Sequence, residues 1–146
     1  MIVSMKSNTK VYLDIDGVLL ANELHPALYA KEFILYVVEN YDAYWLTTHC
    51  QGDSKYTLNH LADLFDEETL RVLEKVKPTR WEIAKTEAID FSGPFLWFDD
   101  DLYPEEKEEL EKNNAMTGWV EVDLAKDPEQ LKEFIESFPS PLARAY

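Results

Sequence analysis

The sequence predicts an α/β fold, a sandwich with a central parallel sheet covered by helices on both faces. Three observations predict it. Short apolar runs rich in β-branched and aromatic residues recur along the chain, a helical pattern separates each from the next, and the first three runs end in acidic or hydroxyl residues. With 146 residues and 46% apolar composition, the chain has the size of one domain spanning 1–146 with a buried core.

The first run, Val11 to Ile15 in "KVYLDIDGVLLAN", reads as a strand that finishes on Asp14 and Asp16 and turns at Gly17. A mostly apolar helical stretch follows from about Pro26 to Asn40, and Tyr44 to Leu46 form a second strand that leads into Thr47 and Thr48. Two helical patterns come next: Leu58, Leu61, Leu64 and Phe65 share one face, then Leu70, Leu73 and Val76 another. Pro78 breaks the chain. A helix is expected from about Thr79 to Ile89, with the Thr79 hydroxyl as cap and Glu82 three positions on. "PFLWF", residues 94 to 98, is the third strand, followed by Asp99, Asp100 and Asp101, and "GWVEV", residues 118 to 122, is the fourth. Between them "PEEKEELEKNN" opens a helix at Pro104 with glutamates in its first turn, which suits the helix dipole. After Asp127 the stripe Leu131, Phe134, Ile135 and Phe138 marks the last helix. The alternation gives a Rossmann-like three-layer arrangement, in which ligands bind at the carboxyl ends of the strands.

Composition narrows the function. The formal charge is −15, from 29 acidic against 14 basic residues, with no basic cluster, so direct binding to nucleic acid or to an anionic membrane is disfavoured. No apolar stretch approaches the roughly 18 residues of a membrane span, and "MIVSMKSNTK" lacks the apolar middle of a signal peptide, which leads to an expectation of a cytoplasmic protein. Cys50 is the single cysteine, which suits a reducing compartment.

In a parallel sheet Asp14, Asp16, Thr47, Thr48 and Asp99 to Asp101 share one edge. Two unit charges about 4 Å apart repel by roughly 4 kcal/mol at an effective dielectric of 20, so a positive group must stand among these carboxylates. Oxygen ligands with open positions suit a hard divalent cation such as Mg²⁺.

These residues carry a resemblance. "YLDIDGVLL" resembles the first signature of the haloacid dehalogenase (HAD) superfamily, "YWLTTHC" the second, a lysine ahead of the next strand the third, and "FLWFDDD" the fourth, all in the family's order over residues 11 to 101. Within the superfamily the chain is similar to the small capless type, and "WLTT" and "WFDDD" resemble domains found in association with RNA repair proteins. The resemblance implies an HAD-like fold and a Mg²⁺-dependent phosphatase acting on a phosphorylated substrate. Asp14 would be the nucleophile that forms an aspartyl-phosphate, Asp16 the general acid and base, and Thr47 a donor to the phosphoryl group. Mg²⁺ would be held by Asp14, the main-chain carbonyl of Asp16, and Asp99 or Asp100. A lysine would balance the charge, and Lys85 is preferred to Lys77; Thr48 stands as the alternative to Thr47, since a one-residue shift exchanges their directions. Receiver domains also gather acids, a threonine and a lysine, but in a different order along the chain.

Each feature also has a structural reading. Asp101, Glu105 and Glu106 read as a solvated acidic helix start. His49 and Cys50 look like a catalytic pair, yet no partner is evident and the cysteine reads as a small buried apolar residue. His25 and His60 have no metal-ligand spacing with other His or Cys, and Trp45, Trp81, Trp97 and Trp119 read as core or pocket wall. Lys77 and Arg80 are either a phosphate-binding pair or surface charge. The segments from Gly17 to the second strand and from Thr47 to Lys85 leave no room for a cap domain, so an open site is expected. The rival from another class is a binding or regulatory protein that keeps the fold without turnover.

Overall fold

The computed structural model describes residues 6–137. Phe138, the last position of the carboxyl-terminal stripe, and the first five residues lie outside the described residues. Four strands form one parallel sheet: β1 (Lys10–Leu13), β4 (Asp42–Trp45), β5 (Phe95–Asp99) and β6 (Trp119–Glu121), in the order β4-β1-β5-β6. The register places Leu13 opposite Trp45 on one side and Phe98 on the other, so β1 and β5 end level with one another. The chain leaves β1 to build β4 on one flank, then crosses to build β5 on the other. The crevice between β1 and β5 is therefore the topological switch point, where ligands bind in open α/β sheets.

Both faces of the sheet are covered, as the near-continuous apolar runs require. On one face Val11, Leu13, Ala43, Trp45 and Phe98 pack with α1 (Ala30–Asn40), α3 (Glu67–Leu73) and α5 (Gln130–Ser137). The buried positions of α1, namely Ala30, Phe33, Ile34, Val37 and Val38, follow the i, i+3, i+4, i+7, i+8 spacing of a helix with one apolar face. Phe33 meets the ring of Phe98 edge-on at 5.2 Å. On the other face Tyr12, Leu46, Phe95 and Trp97 pack with Ile89 and with Leu110 of α4 (Pro104–Lys112). α2 (Lys55–Leu61) lies beyond the end of β4 and buries Thr57 and Leu61. Among the described residues no helix is long and apolar enough to cross a membrane.

Two expectations are corrected. The stretch before α1 is not helical from Pro26: β2 (Leu20–Asn22) and β3 (His25–Pro26) form a small antiparallel hairpin, and α1 starts only after Tyr29, whose φ is 63°. Asn22 Oδ1 accepts the Leu24 N–H at 2.9 Å, a side-chain turn that competes with helix. The helix expected from Thr79 to Ile89 is reduced to a single 3₁₀ turn, Lys85–Ala88. The Thr79 hydroxyl caps nothing; it donates to the Trp45 carbonyl at 2.5 Å and holds the segment against β4. Glu87 then accepts the backbone N–H groups of Glu82, Ile83 and Ala84, which draws the chain into a tight loop where a helix would have continued.

Gly118 precedes β6 where the chain passes over the Phe95 ring, and a Cβ there would stand 2.5 Å from Phe95 Cε2. Gly118→Ala is therefore expected to destabilise the fold by about 1–3 kcal/mol through overpacking, read as a lowered midpoint in urea unfolding.

Candidate functional site

The carboxyl ends of β1 and β5 open into a cleft of about 410 Å³ lined by Asp14, Asp16, Thr48, Trp81, Ile83, Lys85, Asp99, Asp100, Asp101, Tyr103 and Glu106. Asp14 follows the last residue of β1 and is 7% exposed; its Oδ1 accepts the Ile15 N–H at 2.8 Å. Asp99 closes β5 at 1% exposure, with Oδ1 accepting the Asp100 N–H at 2.8 Å and Oδ2 the Trp97 indole N–H at 3.2 Å. Lys85 reaches between the two carboxylates. Its Nζ lies 2.6 Å from Asp99 Oδ2 and 3.3 Å from Asp14 Oδ2.

The turn after Asp16 wraps the Ile15 carbonyl, which accepts N–H groups from Val18, Leu19 and Leu20. Gly17, at φ 80°, makes that turn, and a Cβ there would fall onto the Asp100 carboxylate. The glycine thus serves both the backbone and the approach of an exposed acid from the next strand. Carboxylate oxygens of Asp14, Asp99 and Asp100 lie within 4.8 Å of one another, a set of hard oxygen donors that fits a small divalent cation.

The electrostatics are unbalanced. Burial, followed by the charge on Asp14 and opposed by Lys85, pushes the Asp99 carboxyl up to about 8. For Lys85, burial lowers the pKa, but Asp14 and Asp99 outweigh it and hold the ammonium above its ordinary value. Two buried carboxylates share one ammonium, and without a cation it is the proton kept on Asp99 that offsets the second charge; a bound cation would take that proton's place.

The structure brings Asp14, Asp16, Thr48, Lys85, Asp99 and Asp100 to one cleft. Thr47 is fully buried behind it, where its Oγ1 accepts the His49 N–H at 3.3 Å. Lys77 lies elsewhere: its Nζ pairs with Asp42 at 2.8 Å, at the amino end of β4, the far end of the strand from the cleft. Arg80 is exposed and Lys77 is committed to Asp42, as surface charge would be.

Glu106 corrects the sequence reading. It is not a solvated helix start but 3% exposed, accepting the Tyr103 N–H at 3.1 Å through Oε1 and the Lys85 N–H at 3.0 Å through Oε2. One carboxylate therefore caps α4 and anchors the backbone of the site lysine. Its position three residues into a helix opened by proline is the capping-box spacing, a signal already present in "YPEE". His49 also has a partner: its Nε2 lies 2.9 Å from Asp16 Oδ2, and its ring stacks on His60 with centroids 4.2 Å apart. Cys50 is fully buried, as its apolar reading requires.

No family model, curated protein or solved structure matches this chain.

In protein freed of metal by a chelator, the raised Asp99 sets a pH dependence. Between the ordinary carboxylate value and about 8 the folded state keeps a proton that the unfolded chain has lost, so stability falls as pH rises through that window. The expected slope is at most about 1.4 kcal/mol per pH unit. Urea midpoints measured across the window should decline in the parent protein and stay nearly flat in Asp99→Asn.

Proposed function

We propose that the chain is a Mg²⁺-dependent phosphohydrolase with an HAD-like fold, hydrolysing a phosphoester through an aspartyl-phosphate on Asp14. One observation carries this reading: at the switch point of the sheet a largely buried lysine bridges the buried carboxylates at the ends of β1 and β5, with a third acid beside them. An ordinary surface acid cluster needs neither the burial nor the lysine.

In the proposed reaction an Asp14 carboxylate oxygen attacks phosphorus, and the bond from phosphorus to the leaving oxygen breaks. Asp16, as the carboxylic acid, gives its proton to that oxygen. The resulting Asp16 carboxylate then takes a proton from water, whose oxygen attacks the phosphorus of the aspartyl-phosphate; this releases phosphate and restores Asp14. Lys85 offsets charge on Asp14 and on the transferring group, and Glu106 holds the lysine's backbone in place. The Thr47–Thr48 turn supplies a hydroxyl donor for a phosphoryl oxygen, and Thr48 is the member that lines the cleft. Asp14, Asp99, Asp100 and the Asp16 main-chain carbonyl would hold Mg²⁺, which when bound neutralises charge on the phosphoryl oxygens.

Access supports a substrate larger than the phosphate it carries. Ile83, 90% exposed, and Tyr103, 59% exposed, stand at the cleft's margin with no domain above them among the described residues. The acidic surface argues against a nucleic acid held by this chain alone.

A generic aryl phosphate assayed with MgCl₂ tests the reading. Asp14→Asn is expected to lower turnover by at least about three orders of magnitude, and Asp16→Asn by about 10²–10⁴. Equal turnover in Asp14→Asn and the parent would refute the nucleophile. An absence of turnover across a panel of phosphoesters, with Mg²⁺ binding intact, would favour a binding protein that keeps the fold.

A further inference from the structure

We propose that Asp16, His49 and His60 form a second metal site, selective for Zn²⁺ and similar borderline cations, whose occupation withdraws Asp16 from proton transfer. The inhibitory part rests on the phosphohydrolase reading; the metal site does not.

The three side chains come from three separate parts of the chain. Asp16 opens the turn that follows β1, His49 follows β4, and His60 stands on α2. Their ligating atoms lie within 4.8 Å of one another, with Asp16 Oδ2 and His49 Nε2 already 2.9 Å apart. The arrangement is held from below. Thr57, fully buried and on α2 with His60, donates its hydroxyl to the His49 carbonyl at 2.9 Å. The same helix thus fixes the backbone that carries one imidazole and supplies the other, and the rings stack with an interplanar angle of 14°.

Donor chemistry separates this trio from the site beside it. Asp14, Asp99 and Asp100 offer only oxygens, the preference of Mg²⁺, whereas two imidazoles and one carboxylate favour Zn²⁺, Co²⁺, Ni²⁺ or Cu²⁺. Tetrahedral zinc, with bonds of about 2.0–2.2 Å, needs its ligands roughly 3.3 Å apart. Asp16 and His49, at 2.9 Å, need to part by only about 0.4 Å to reach that spacing, and His60, exposed near the end of α2, would close the remainder by a change of side-chain rotamer. A fourth position faces a hollow of about 610 Å³ lined by Thr48, His49, Gln51, Tyr56, Asn59 and His60, open to water or to a substrate group.

The consequence follows from proton accounting. Binding displaces the proton bridging His49 Nε2 and Asp16 Oδ2, and the metal takes the oxygen lone pair that would otherwise carry the proton destined for the leaving group. Asp16 bound in this way has no proton to donate, and its free Oδ1 is a poor proton acceptor beside a dication. The two sites share no side-chain ligand, Asp16 lending only its main-chain carbonyl to the oxygen set, so excess Mg²⁺ does not relieve the block.

Calorimetric titration of the full chain with ZnCl₂ in excess MgCl₂ is the test, with His60→Ala and His60→Gln as surface variants outside the catalytic set. Zinc should bind the parent at one equivalent, and both variants should bind more than about tenfold more weakly. Co²⁺ should give the visible absorption of an imidazole-bound ion in the parent and lose it in both variants. Zinc should stop aryl phosphate hydrolysis by the parent and spare His60→Ala. Equal zinc affinity in parent and variants, or zinc displaced by Mg²⁺, overturns the site. Zinc bound through His60 with turnover unchanged overturns the block on Asp16. Zinc bound through His60 by a chain that hydrolyses nothing supports the site and removes the phosphohydrolase reading alone.

Discussion

Asp14 and Asp99 stand side by side at the end of a sheet whose two faces are sealed, and one ammonium, that of Lys85, holds them together. The rest of the cleft is arranged around that constraint. The lysine cannot drift, because its own N–H is tied to a buried glutamate on the following helix, and Asp99 cannot turn away, because the Trp97 indole and the Asp100 N–H hold its two oxygens. Removing one partner of such a buried pair characteristically costs about 3–5 kcal/mol, since the other charge is left uncompensated. A protein that merely needed stability could fill the space with apolar side chains at lower cost.

The sheet makes this arrangement rigid. β1 and β5 are neighbours with matched ends, and each is buried on both faces, so neither strand can slip without exposing a full set of apolar residues. The positions of Asp14 and Asp99 are thereby fixed by Val11, Leu13, Trp97 and Phe98 as firmly as by their own contacts.

The sequence made the strands legible because each is a continuous apolar run ending in a polar residue, and all four were placed to within about two residues. The acids at the strand ends were legible for the same reason: parallel topology converts sequence position into a shared edge; Lys85 sits on no strand and was preferred to Lys77 only through the family resemblance. The hairpin of Leu20–Asn22 with His25–Pro26 was not, because strands of two and three residues carry no periodicity. The helix expected after Thr79 failed because tertiary contacts, Thr79 to Trp45 and Glu87 to three backbone N–H groups, overrode a good local pattern. Glu106 and His49 were misread from one cause. Their partners, Lys85 and Asp16, are distant along the chain, and no local spacing announces a contact of that kind.

Asp16 stands between two kinds of chemistry, and its exposure explains why. Asp14 and Asp99 are buried and held by a lysine, which keeps them near the phosphoryl site proposed here. Asp16, with a side chain 61% exposed, has left that group and meets an imidazole instead. A proton-transfer carboxylate must reach both the leaving group and water, so it cannot be locked away as Asp14 is. The same openness lets a histidine approach it, and a second histidine stacked behind the first turns a hydrogen bond into a trio of metal-ligating groups. Hard oxygen donors on one side of Asp16 and imidazoles on the other make it the residue through which two different cations could act in opposite senses.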